Sequence, residues 1–371
     1  MSLPIAARRP TTAGPDLVLL PRFSRLGASS RYRFFQFLGD LQAAGWRVVV
    51  RPLFSDAYLR HRYAGGGWPA GAMARCYLDR WRYLRRLPPG TPLLIEKELF
   101  PWVPPGVEGM LLRGHPYVLD FDDDVHAWYG RLPMLGTKFS AMAGQAAGLQ
   151  AGNAVLADRC RRFNPRTRLF PTVLEPDEYA PRGEEPPGRV LRLGWIGSPL
   201  SRLHLEALLP VLDTLPEGRF ELHAMGTGPL AGGRLPLTTH PWSPAAEKRF
   251  LRTIDAGLMP LAPGPFSEGK CGFKLLQYLA AGVPAVAADS RANRDILDDG
   301  RAGLLVATAT DWAPALTRLH QDPALWRRLA AAGHRRVRRE FAARDWAPRL
   351  VDWLREALAL PGPLSTPSRT G

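Results

Sequence analysis

Residues 254–288 read IDAGLMPLAPGPFSEGKCGFKLLQYLAAGVPAVAA. An apolar run (254–261) leads into a loop rich in Gly and Pro, then an amphipathic segment (271–281), then a second apolar run, PAVAA (284–288). Short apolar runs bounded by turn residues read as buried strands, and a helix between two of them is the crossover that parallel strands require. The stretch is therefore one strand–helix–strand unit, and its loop brings Lys270 and Lys274 to the start of the helix. A helix N-terminus offers unpaired N–H groups and partial positive charge, so lysines beside it suit a diphosphate. The plainer reading is a turn with two solvated lysines.

The same alternation extends in both directions. Towards the N-terminus of this unit lie LRLGWIG (191–197) as a strand, 201–213 as a helix, RFELHAMG (219–226) as a strand and 244–252 as a helix; beyond it GLLVA (303–307) is a further strand. An earlier series begins with LVLLP (17–21) and a loop and helix (27–45) ending at Gly45, in which Tyr32, Phe35, Leu38 and Leu41 recur at helical spacing. It continues through WRVVVRPLF (46–54), a helix over 71–87, TPLLIE (91–96) and PYVLDFD (116–122), with AVLADR (154–159) and RLFPTV (168–173) as its last short strands. Between the two series, EPDEYAPRGEEPPGRV (175–190) is acidic, rich in Pro and Gly, and without periodicity, as a domain boundary would be. The pattern predicts an α/β protein of two doubly wound domains, 1–180 and 181–345. The helix over 346–360 places Trp346, Leu350, Trp353 and Leu354 on one side, ready to pack, and the tail 361–371 reads as disordered.

Composition narrows the function. With 371 residues, 46% hydrophobic and 22% charged, the chain is neither disordered, collagenous nor coiled-coil. Its net charge of +15 is almost all arginine, the lysines being 97, 138, 248, 270 and 274. Such a charge calls for anionic partners, or reflects compositional bias alone. The arginine-rich segments 75–86 and 327–339 carry no recognisable nucleic-acid-reading motif, so nucleic acid is not expected as a partner. Cys76, Cys160 and Cys271 form no C-x-x-C pair, which argues against a disulfide framework or a zinc site. No apolar stretch approaches the roughly 18–20 residues that span a bilayer, and MSLPIAARRPTTAGPD lacks the apolar core of a signal peptide. A cytoplasmic protein is expected, with an anionic inner-membrane face as a further candidate partner.

In open α/β sheets ligands bind at the carboxyl ends of the strands, so loops that follow strands deserve the closest reading. Three stand out in the first series. GASSRYR (27–33) offers Ser29, Ser30 and Arg31, as phosphate contacts or as a helix cap. IEKELFPW (95–102) presents Glu96, Lys97 and Glu98, as site residues or as a solvated turn. YVLDFDDDVHAWY (117–129) carries Asp120, Asp122, Asp123 and Asp124; carboxylates this dense need cations, and Lys97 is a candidate. Mg²⁺ is the other possibility for such a run.

From about residue 190 to 345 the chain resembles the C-terminal domain of the retaining, nucleotide-sugar-dependent glycosyltransferases of GT-B fold, in their glycogen-synthase-like branch (group 1, family 4). The resemblance rests on LRLGWIGSP (191–199), the Trp242–Ser243–Glu247 pattern, DAGLMPL (255–261), GKCGFKLLQYLAAGVPAVA (269–287) and DDGRAGLLV (298–306). It implies two Rossmann-like domains facing across a cleft, with a terminal helix crossing back to the first. It implies a nucleoside diphosphate sugar as donor substrate, no metal and no other cofactor, and an acceptor that is a carbohydrate, a lipid-linked or a small molecule. Donor-binding residues would be Gly197, Ser198, Lys270, Gly272, Phe273, Lys274 and Gln277, the last standing where the family has a ribose-gripping glutamate. Ser29, Ser30, Arg31, Lys97, Glu98 and Asp123 would line the acceptor side. The catalytic candidates are Glu268 and Asp122, the latter in a strand-end position where many relatives have histidine. The implied activity is sugar transfer with retention, in cell-surface polysaccharide or glycoconjugate synthesis. The rivals are a nucleotide-sugar epimerase or an inactive homologue of the same fold.

Overall fold

The computed structural model describes residues 14–360, apart from 68, 131 and 263; the tail 361–371, expected to be disordered, lies outside the described residues. Two six-stranded, wholly parallel sheets form. The first contains β1 (Leu17–Leu20), β2 (Val48–Val50), β3 (Leu93–Glu96), β4 (Tyr117–Phe121), β5 (Gly148–Ala151) and β6 (Thr167–Leu169) in the order β2-β1-β3-β4-β5-β6. The second contains β7 (Leu191–Ile196), β8 (Phe220–Met225), β9 (Leu237–His240), β10 (Ala256–Met259), β11 (Ala285–Ala288) and β12 (Leu304–Val306) in the order β12-β11-β10-β7-β8-β9. Central strands such as β1, β3, β4 and β10 are buried at every position, which is why they read as unbroken apolar runs.

Strand order says where a ligand belongs. In the first sheet the order reverses between β1 and β3, and in the second between β7 and β10. At such switch points neighbouring loops diverge to opposite faces and leave a crevice. The segments that follow the strands there carry Ser29–Arg31 (in the helix after β1), Lys97 (after β3), Gly197–Ser198 (after β7) and Lys270 (after β10).

Three expectations need correction. AVLADR is not a strand: it begins the helix Ala154–Arg161, where the Asn153 side chain caps the N-terminus by accepting the Leu156 N–H (2.9 Å). Its apolar residues face one side, and the strand is the preceding GLQA. The segment 27–45 is not one helix. It breaks at Phe34 into Ala28–Arg33, a 3₁₀ turn Phe35–Phe37 and Leu38–Ala43, and the break turns Phe34, Phe37 and Leu41 into the core in place of Tyr32, Phe35 and Leu38. WRVVVRPLF narrows to a three-residue strand at the sheet edge. The edge strand β9, exposed over its middle, gave too little apolar pattern to be anticipated; the helix Trp312–Gln321, which buries Trp312, Leu316 and Leu319 at helical spacing, is a further element of the second half.

The last helix, Ala343–Leu358, buries Leu350, Trp353, Leu354 and Ala357 in a cluster with Leu17, Phe34, Leu94 and Val118 of the first sheet. The chain thus returns from the second sheet to the first. The Trp353 ring lies where a Cβ on residue 148 would approach it to 2.4 Å, so β5 needs its glycine there. Among the described residues no helix is long and apolar enough to cross a membrane. Replacing Trp353 by Ala should destabilise the protein by roughly 3–5 kcal/mol through the cavity left on the first sheet, read as a lower midpoint in urea denaturation; an unchanged midpoint would contradict this packing.

Candidate functional site

At the carboxyl end of β4, four aspartates fall within five residues, and each has a cation. Asp120 is held by Arg33 (Nε to Oδ2, 2.9 Å), both side chains being buried. Asp122 and Asp123 share Lys97, whose Nζ lies 2.7 Å and 2.8 Å from their carboxylates. Asp124 pairs with Arg159. Burial alone would raise the pKa of Asp122, but Lys97, with a hydrogen bond from Ser29, brings it down to about 2. Asp122 is therefore ionised throughout the physiological range.

Lys97 reaches these partners because of its backbone. Its φ is +64°, unusual for a residue with a side chain, and the Glu98 N–H donates to the Glu96 carbonyl across it (2.7 Å). This is a γ-turn, strained by roughly 1–3 kcal/mol. It sends three consecutive side chains to three places. Lys97 faces the aspartates. Glu96, fully buried, accepts the Ser30 hydroxyl (2.5 Å) and the Arg22 N–H (2.7 Å). Glu98 joins a separate buried network, with Lys138 at 2.7 Å and the Tyr129 hydroxyl at 3.0 Å. Glu98, expected on the acceptor side, is thus occupied elsewhere. Burial, reinforced by Asp122, pushes Glu96 up to about 7 despite Lys97. Neither Ser29 nor Ser30 caps the helix, whose cap position is Gly27; their hydroxyls serve Asp122 and Glu96.

Across from this cluster lies the edge of the second sheet. Gly272 (φ +57°) starts the helix Phe273–Ala280, and a Cβ there would come within 2.5 Å of Ile296. Lys274 stands with its Nζ 4.5 Å from the centre of the Trp195 ring. Burial and Lys270 push its pKa down to about 7. Burial and these same two lysines also lower His204. The backbone after β7 closes over Trp195: a Cβ on Gly197 would fall 2.1 Å from its ring, while Ser198 and Ser201 form a capping box. Charge here is unbalanced towards the positive, in contrast to the neutralised opposite wall.

The two walls touch. Lys270 Nζ is 3.9 Å from Asp123, Asn153 Nδ2 donates to the Gly269 carbonyl (2.9 Å), and Arg291 pairs with Asp158 (3.1 Å). Cys271 abuts Gly152 so closely that a Cβ there would be 2.3 Å from its sulfur. Phe273 packs on Tyr32 (ring centres 4.0 Å apart), and Arg31 lies over Trp242 (5.2 Å). Ser29, Ser30, Lys97, Asp122 and Asp123 thus gather on one side, Gly197, Ser198, Lys270, Gly272, Phe273 and Lys274 on the other. Two candidates have other work: Glu268 accepts the Arg291 N–H (3.1 Å) at the start of the helix Arg291–Leu297, and Gln277 is buried against Glu247 and Tyr179. Reasoning from sequence missed Arg33, although GASSRYR ends on it, and Trp195, which sits in an apolar run that reads as core. Among the described residues no group of three or more His, Cys, Asp or Glu could hold a metal ion.

Residues 205–352 match a family model described as glycosyl transferase-like. No curated protein matches the chain by sequence. Solved structures resemble it over nearly its full length. Sucrose-phosphate synthase from Thermosynechococcus elongatus superposes with a TM-score of 0.70 at 16% identity, covering 93% of this chain and 99% of its own. WaaG, a glycosyltransferase involved in lipopolysaccharide biosynthesis, gives 0.67 at 13%, covering 91% and 99%. Anabaena HepE, solved with UDP and glucose, gives 0.65 at 11%, covering 92% and 99%. The architecture is that of the GT-B glycosyltransferases, two facing parallel α/β sheets.

Two outcomes follow from the titrating groups. The Glu96 pKa is raised on folding, so its ionisation destabilises the native state as pH rises from about 4.5 to 7. Glu96→Gln should gain stability relative to the native chain across that window, by roughly 1–3 kcal/mol between pH 5 and 8; thermal melts that run parallel at all pH values would refute the assignment. For Lys274 the charged form is the disfavoured one. Lys274→Met should leave the melting temperature of the free protein unchanged or higher, while abolishing any stabilisation by a nucleoside diphosphate sugar, as thermal shift measures.

Proposed function

We propose that the chain transfers a sugar from a nucleoside diphosphate sugar to an acceptor hydroxyl, with retention at the anomeric carbon and without a metal. The observation that carries this reading is the asymmetry of the cleft: a lysine pair beside a helix N-terminus on one wall, a lysine-clamped aspartate on the other. A departing diphosphate develops negative charge and the anomeric carbon develops positive charge, so cations and a fixed anion on opposite walls stabilise both at once. Lys270, Lys274 and the N–H groups of the helix starting at Phe273 would hold the diphosphate. An anion raises the pKa of a lysine beside it, so Lys274 would take up a proton as the donor binds.

Asp122 suits the electrostatic part and not that of a general base, because a carboxyl with a pKa of about 2 has little affinity for a proton. The acceptor proton would pass to the departing phosphate oxygen. Attack from the face the leaving group vacates gives retention. Metal independence is supported by the pairing of all four aspartates with side-chain cations, which supply the neutralisation a metal would otherwise provide. The acceptor would be a carbohydrate or a glycoconjugate under construction.

Incubation with a panel of UDP- and GDP-sugars should give transfer, or slow donor hydrolysis, for one donor class, with product of unchanged anomeric configuration by NMR. An inverted product would overturn retention, and epimer formation without transfer would replace the reading by an epimerase. Asp122→Asn should lower turnover by about 10²–10³-fold with little change in donor affinity; near-native turnover would remove Asp122 from the mechanism.

A further inference from the structure

Among the described residues most exposed large apolar side chains lie between residues 78 and 134 of the first half, the others being Leu169, Leu200 and Leu203. Leu78 and Trp81 on the helix Ala70–Arg85, Trp102 in the loop after β3, Val107 and Met110 on the helix Pro105–Leu112, and Met134 are all more than a third exposed. Scattered surface leucines need no explanation, but a run of large apolar groups on adjoining elements marks an interaction face. The elements do adjoin: the Tyr77 hydroxyl donates to the Pro101 carbonyl (2.9 Å), and the Trp102 ring meets Tyr129 edge-on (5.2 Å).

The face is held rigidly. Beneath it, the buried Arg80 guanidinium donates to the backbone carbonyls of Pro21, Arg51 and Leu99, fixing the helix to three loops. Trp102 and Met134 both have φ near +64° (64° and 63°), so two bulky side chains are kept in a strained backbone conformation while half or more of each stays in water. Backbone strain of this kind survives where the surrounding structure imposes it, most often at sites of use.

Charge identifies the occupant. The outward positions of the same helix carry Arg75, Arg82 and Arg85 against the single Asp79, and Arg85 lies over the Trp81 ring (5.7 Å). A second copy of the chain would set these arginines against their own kind. A nucleic acid would satisfy the arginines and leave the tryptophans, leucine and methionines in water. An anionic bilayer satisfies both, since arginine meets headgroup phosphate while Trp, Leu and Met enter the boundary with the acyl chains. We propose that this flank docks on an anionic phospholipid bilayer and that the acceptor is presented from it. Lys97 and Trp102 belong to one loop, so docking brings the acceptor wall of the cleft to the lipid. The acceptor clause rests on the sugar-transfer reading; the docking clause does not.

The test is co-sedimentation of the purified chain with vesicles of phosphatidylcholine containing about one-quarter phosphatidylglycerol, against pure phosphatidylcholine, at low and high salt. Partition into the anionic vesicles alone, weakened by salt, is expected. The double variants Leu78→Ser/Trp81→Ser and Arg82→Ser/Arg85→Ser should each weaken it by ten-fold or more while melting at the native temperature. Absence of partition by the native chain, or native partition by both variants, would overturn docking. So would a concentration-dependent dimer in sedimentation velocity that the same variants abolish, since the face would then belong to a second copy. Vesicle binding without sugar transfer would leave docking standing and remove the transfer reading. Transfer to water-soluble acceptors that vesicles neither accelerate nor require would remove the acceptor clause alone.

Discussion

Four carboxylates at the end of one buried strand cannot remain charged side by side. Two unit charges about 4 Å apart repel by roughly 4 kcal/mol even at an effective dielectric constant of 20. The molecule resolves this by drawing several elements to the aspartates: the helix after β1 through Arg33, the turn after β3 through Lys97, the helix after β5 through Arg159, and the loop before the helix Phe273–Ala280 through Lys270. The acidic run therefore acts as the hub on which the first half is organised, and its last partner reaches across the cleft. Removing Arg33 or Lys97 would leave a buried anion, Asp120 or Asp122, uncompensated, which is more damaging than never having had the pair.

The walls of the cleft are consequently different in kind. The first is electrically finished: each of its four aspartates faces a cation, and its geometry is fixed by a strained turn. The second is unfinished: burial and Lys270 lower Lys274, and burial with both lysines lowers His204. A site that must bind and release an anion gains from such incompleteness, because the ligand relieves a repulsion that the free protein already bears. In the proposed sugar transfer the fixed wall would supply orientation and the unfinished wall affinity.

Much of this architecture could be read from the chain. Parallel strands buried on both faces leave continuous apolar runs, so β1, β3, β4, β7 and β10 were visible, as was the loop with two of the five lysines. What could not be read was fixed by tertiary contact. The break at Phe34 lets Arg33 turn inward to Asp120, a partner that no local periodicity announces. The helix Ala154–Arg161 opens with the same apolar letters as a strand and is decided by one capping side chain, Asn153. The turn at Lys97 separates three adjacent charged residues into three environments, so Glu96, Lys97 and Glu98 look equivalent in sequence and are not. Glu268 and Gln277 illustrate the converse: a family pattern placed them at the donor, while their neighbours engage them in capping and packing.

The near-exclusive use of arginine over lysine has a consequence of its own. Guanidinium groups keep their proton at any pH a cell reaches, so the field this molecule projects into solution is constant. Lys274, one of the few amines, sits where a proton is gained or lost near neutrality. The protein thus separates a permanent far field, felt by whatever approaches from a distance, from an adjustable near field confined to the cleft. Long-range attraction and local grip can then respond independently, the first to ionic strength and the second to acidity.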